Sequence, residues 1–238
     1  MASTRNIMSS ALWSLPFLGY QPVNISNGDP AVNAANLVKQ VILGPPFSWA
    51  WNRTDFEIEE VSADNGRDYI IEPIKSFGFL EKAWLIDAKD NVIEIKVVLA
   101  LSEEGRKQRP SSIATQFIDT DGTVLLRFNT IPDQAYTLRG FYQNAPDYMT
   151  SQASLWSPIP DHLSYIYDWG YLAILAMLTK DQRVPLFGQR FISHLLGAQD
   201  GLSATQRNIF IGNWLDLITE PGRAQTAMQQ AVAARGAQ

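Results

Sequence analysis

Not one of the 238 residues is cysteine. A disulfide, a thiolate nucleophile and a cysteine-ligated metal are therefore excluded together. Histidine is almost as scarce, with two residues, and charged residues make up only 18 %. No apolar run reaches the roughly 18 residues that a bilayer span requires. The apolar patch Ala11–Leu18 is interrupted by Ser14 and Pro16, and no small-residue cleavage site follows it. A secretory leader is therefore not expected. Asn24-Ile25-Ser26 and Asn52-Arg53-Thr54 then read as chance matches to the glycosylation pattern. The expectation is a soluble intracellular protein, or one released by lysis. The formal net charge of −5 is a poor footprint for gripping nucleic-acid phosphates. It does not exclude a protein that lets DNA pass without holding it.

What is abundant is apolar and aromatic surface: 46 % and 11 % of the chain, with 7 Trp. That composition folds, and the length serves one large domain or two small ones. The chain is organised around the stretch from Trp156 to Leu217. Its first helical run, His162–Thr179, is apolar almost all the way round, with Leu163, Ile166, Tyr167, Gly170, Ile174 and Met177 on one side. Tyr165, Trp169, Leu172 and Ala176 lie around the other. A surface helix of a monomer shows one apolar stripe, so this one calls for cover on every side, from the rest of the chain or from another chain. Helices near Val184–Leu196, bearing Phe187 and Phe191, and near Ser203–Ile218, bearing Phe210 and Trp214, complete the stretch.

Upstream, residues 1–28 read as an irregular arm or a disordered leader. Asp29-Pro30 is a strong helix start, an Asp cap followed by Pro in the first turn. The helix Ala31–Leu43 runs to the stop at Gly44-Pro45-Pro46. Trp49 and Trp51 would share one face of a strand, either as a plug at the joint or as a subunit- or ligand-contacting platform. From Phe56 to Gln143 the period changes to two, with hairpins expected at Lys89-Asp90-Asn91 and Thr120-Asp121-Gly122. Roughly six to eight short strands without a helix between them point to a sandwich or small barrel. Ser102–Pro110 reads as a solvated excursion between strands or as a contact arm.

The fold class expected is α+β: a helical bundle built from N- and C-terminal helices, with an inserted antiparallel β-sandwich or small barrel. The domains expected are an N-terminal arm at 1–28, a helical domain at 29–48 and 156–220, a β-rich domain at 49–155 and a C-terminal tail at 221–238. Neither His162 nor His194 stands beside a nucleophile motif or a second metal ligand. A calcium loop counted from Asp119 would need Gly and Glu where the chain has Val124 and Thr130. Phosphate-cradling glycine loops are absent from the sequence. No enzyme, cofactor or metal is expected.

In order, the chain carries a helix ending at Leu37–Leu43, then Trp49-Ala50-Trp51-Asn52-Arg53-Thr54, then a strand-rich insert. It closes on Ile159-Pro160-Asp161, Tyr165-Ile166-Tyr167 with Tyr171-Leu172, and Lys180-Asp181-Gln182-Arg183-Val184-Pro185. Over about Asp29–Trp214 this resembles the head-to-tail adaptor proteins of tailed bacteriophages, of the tail tubular protein A type. The aromatic arm is longer than that family leads one to expect, and the strand region carries no family motif. The resemblance implies a virion neck protein assembled in the host cytoplasm, in an adaptor, stopper or other neck position. It implies a homo-oligomeric ring, a dodecamer, docked on the portal protein and offering a platform to the next tail protein. Double-stranded DNA would pass through without specific binding, and no membrane is involved. The interface candidates are Trp49, Trp51, Tyr165, Trp169, Leu172, Phe187, Phe191 and Trp214. The alternative is a β-sandwich module that binds carbohydrate or another cell-surface ligand, with its Trp residues as stacking platforms.

Overall fold

The computed structural model describes residues 7–20, 28–71, 77–101, 105–118, 123–149 and 159–219. The tail at 221–238, the Thr120-Asp121-Gly122 turn, Trp156 and Asn24 lie outside them. The chain divides into two compact units, Met1–Phe47 with Pro146–Gln238 and Ser48–Ala145.

The first unit is helical: α1 (Ile7–Leu18), α2 (Pro30–Leu43), α3 (Ser164–Leu178), α4 (Val184–Gly197) and α5 (Ala204–Thr219). The caps follow from the residues. Asp29 Oδ1 accepts the Ala31 N–H at 2.7 Å, with Pro30 starting the helix. Ser203 and Gln206 form the reciprocal capping box at the start of α5, at 3.0 and 3.2 Å. Helix α3 is the hub, buried at 166–168 and 170–177, and α1, α2 and α4 all pack on it. Its all-round apolarity is thus covered largely from within the chain.

Residues 7–18, expected as part of an irregular arm, are helical because a narrow stripe fits the hub. Ile7, Ser10, Ala11 and Ser14 are buried at helical spacing, and Ser10 Oγ donates to the Tyr167 hydroxyl at 3.4 Å. A polar stripe of α2 clamps the extended segment 147–149. Asn36 pairs both ways with the Met149 backbone at 2.8 and 2.9 Å, Gln40 reaches the Tyr148 hydroxyl at 2.9 Å, and Lys39 Nζ donates to the Asp147 carbonyl.

The second unit is one seven-stranded sheet: β1 (Arg53–Val61), β2 (Asp68–Ile71), β3 (Phe77–Ile86), β4 (Val92–Val97), β5 (Ser112–Ile118), β6 (Val124–Phe128) and β7 (Tyr136–Asn144). The strand order is β1-β7-β3-β4-β5-β6-β2. All neighbours are antiparallel except β4 and β5, which run parallel. The edges β1 and β2 come close enough that the sheet nearly closes into a barrel.

This corrects the fold class expected from sequence. The helices are not N- and C-terminal bundle elements flanking an antiparallel sandwich; among the described residues five helices accompany a single mixed, curled sheet. The physical reason lies between β4 and β5. Fourteen residues, 98–111, separate the two strands. A connection of about a dozen residues or more is long enough to carry the chain back for a parallel pairing, which a tight turn cannot do. Within it Gln108 N–H donates to Ile131 O at 2.9 Å and Ile131 N–H to Arg106 O at 3.1 Å, so the described part of Ser102–Pro110 is tied to the sheet. Bulges in β1, β3 and β5 supply the curl. The interior is filled by side chains such as Leu85, Ile113, Val124, Leu126, Phe128 and Leu138.

Trp49 and Trp51 do not share a strand face. Trp49 precedes a single 3₁₀ turn, Ala50–Asn52, and Trp51 lies within it, with their rings 5.5 Å apart. The turn is held by the end of β7. Buried Gln143 accepts the Trp49 N–H at 3.1 Å and donates to Trp49 O at 3.2 Å and to Glu81 Oε2 at 2.6 Å. Asn52 and Asn144 exchange side-chain-to-backbone bonds, both at 2.9 Å. The Asn52 amide is committed here, which leaves it no freedom to carry a glycan. Gln143→Leu strips both partners from the Trp49 backbone and is expected to lower stability by about 2 kcal/mol in urea denaturation.

Candidate interaction surface

The eight interface candidates separate by burial. Leu172, Phe187, Phe191 and Trp214 are buried in the core of the helical unit, where Phe191 and Trp214 pack at 4.8 Å. Those four are spent on the chain's own packing. Trp49 is buried in the sheet unit and Trp51 is half-buried beside it. In the helical unit, Tyr165, 38 % exposed, and half-buried Trp169 are the candidates that face outward.

Around those two the fold assembles residues that α1 and α4 bring in. Trp13 stands edge-on to Trp169 at 6.2 Å, and Phe17 lies 6.2 Å from Trp169 and 5.2 Å from Trp13. From α4, the Arg190 guanidinium sits 4.7 Å over the Trp169 ring, a cation–π contact. His194 packs against Tyr165 at 5.0 Å and against Trp169 at 6.5 Å. Leu186, 51 % exposed, lies one turn before Arg190. At the start of α4, Arg183 grips Asp181 at 2.8 Å and holds that carboxyl down to about 2.

The patch is thus aromatic and apolar, carries a fixed cation and is built by three helices. Aromatic residues and Arg are the types enriched where proteins meet. His194 joins this ring cluster, whereas His162 is exposed. Trp13 and Phe17 stand four apart in α1, which is the one sequence signal that could have found them. Among the described residues, no group of three or more acidic or histidine side chains is placed to hold a metal. Compared with protein-family models and with curated proteins, the chain matches none.

Proposed function

We propose that the chain is a structural subunit of a ring in the neck of a tailed virion, a head-to-tail adaptor seated between the portal and the next tail component. The observation that carries this reading is the half-exposed patch of Trp13, Phe17, Tyr165, Trp169 and Arg190. A large aromatic patch set on rigid helices is the kind of anchor a subunit buries against a neighbour. A heterologous contact repeated around an axis closes a ring. The order of motifs along the chain points the same way. The ring passes DNA without gripping it, in keeping with a net charge of −5.

The test is to mix the purified chain with its cognate portal and image the product by negative stain. An added ring layer is expected, and portals that stay bare under conditions where packaged heads mature would overturn the reading. Tyr165→Asp with Phe17→Asp places two like charges in the patch at exposed positions. The pair is expected to abolish the layer while the melting temperature moves by only a few degrees. Trp169 is a poorer place to cut. It also packs on Phe187 at 6.4 Å, so its loss would damage the unit's own core together with the surface.

A further inference from the structure

The outward face of β1, β7 and β3 holds a concavity of about 400 Å³, lined by Asp55, Glu57, Trp84, Arg139 and Phe141 among others. The register aligns them. Glu57 lies opposite Arg139, Arg139 opposite Trp84, and Asp55 opposite Phe141. Glu57 and Arg139 are ion-paired at 2.9 Å with both side chains still open to solvent. The Phe141 ring stands edge-on to Trp84 at 5.2 Å and lies 5.1 Å beneath the Arg53 guanidinium, which Glu81 holds in place. Among the described residues the exposed Asp55 carboxylate has no hydrogen-bond or ionic partner.

We propose that this concavity is a saccharide-binding site, separate from the helical patch. A sugar ring has an apolar C–H face and a rim of hydroxyls that donate and accept at once. The half-buried Trp84 indole, braced by Phe141, offers the flat apolar surface that such a face needs. Arg139 donates to the rim while Asp55 and Glu57 accept from it, so neighbouring hydroxyls find partners of both kinds. A wholly apolar ligand would bury Asp55 unpaired, and a phosphate would meet two carboxylates. Concave, partly apolar surface with a few converging polar groups is the general form of a small-molecule site. Trp49 is no substitute platform, because only 4 % of it is exposed.

The test uses the intact chain and three probes, maltotriose, cellotriose and chitotriose, with the seven indole N–H signals followed by proton–nitrogen NMR. For at least one probe, a signal absent from the spectrum of Trp84→Phe is expected to move and saturate at millimolar concentration. Asp55→Asn, on the surface, should keep the wild-type melting temperature and weaken that probe about tenfold, the loss expected for a hydrogen bond to a charged group. No saturable change with any of the three at about 20 mM, far above the affinity expected of such a site, would overturn the proposal. So would a shift that Trp84→Phe and Asp55→Asn leave unaltered. Neither outcome bears on ring formation, which the helical-patch variants report independently.

Discussion

Gly170→Ala is expected to destabilise the helical unit by about 3 kcal/mol, although alanine in a helix interior ordinarily gains about 1 kcal/mol over glycine. A Cβ at position 170 would lie 2.4 Å from Val38 Cγ2 and 2.7 Å from the Phe191 ring. Both neighbours are fully buried, on α2 and α4 respectively. Neither is the loose end of a flexible side chain. Valine is stiff about its first torsion, and the Phe191 ring is backed by Trp214 at 4.8 Å. The methyl therefore has to push two helices off α3 at once, which places the cost at the top of the usual range for overpacking. The melting temperature should fall by roughly 10 °C. In the Gly170→Ala background, Val38→Ala should cost markedly less than it does in the wild type, because it vacates the space the new methyl needs. A Gly170→Ala chain that melts at or above the wild-type temperature would mean that α2, α3 and α4 do not meet at this glycine.

Glycine 170 also marks the limit of what the sequence made legible. The helices α2 to α5 were readable because their ends are local chemistry: Asp29-Pro30 at one start, Ser203 with Gln206 at another, and apolar residues at helical spacing between. The hairpin joining β3 and β4 was readable for the same reason. Helix α1 was not, because its buried stripe includes Ser10, Ala11 and Ser14, small residues that carry no hydrophobic period. The parallel pairing of β4 with β5 is a long-range choice that no turn residue announces. The fate of Trp49 is decided by Gln143, 94 positions away. The apolar circumference of α3 was visible, but what covers it was not. Three helices of the same chain cover most of it, which leaves Tyr165 and Trp169 as the outward remainder. Arg190, Trp13 and Phe17 join them only in three dimensions. Periodicity reports that a residue wants cover, and tertiary contact decides who supplies it.

Lys39 supplies the second large effect. Its side chain is fully buried on α2, and burial pushes its ammonium down from 10.5 to about 8 against the opposing pull of the Asp147 carboxylate. Between those two values the unfolded chain holds a proton that the folded chain has released, so stability must rise with pH across that window. The gain is complete above 10.5 and is lost as the pH falls through 8, where both states carry the charge. Over the whole window it amounts to about 3 kcal/mol. Tyr20, Tyr69 and Tyr136 act in the opposite direction and at higher pH. Each is pushed up to about 12, chiefly by burial, so the stability they contribute is present below 10 and is lost as the pH climbs through 12. The clean interval for Lys39 therefore runs from pH 8 to about 9.5. Urea denaturation across it should show the wild type becoming steadily more stable, while Lys39→Met stays flat. Lys39→Met also removes the donor to the Asp147 carbonyl, which offsets its level at any one pH but leaves the slope unaffected. A wild type and a Lys39→Met chain that share one slope would show that Lys39 keeps its ordinary protonation in the folded unit, and hence that its amine reaches water.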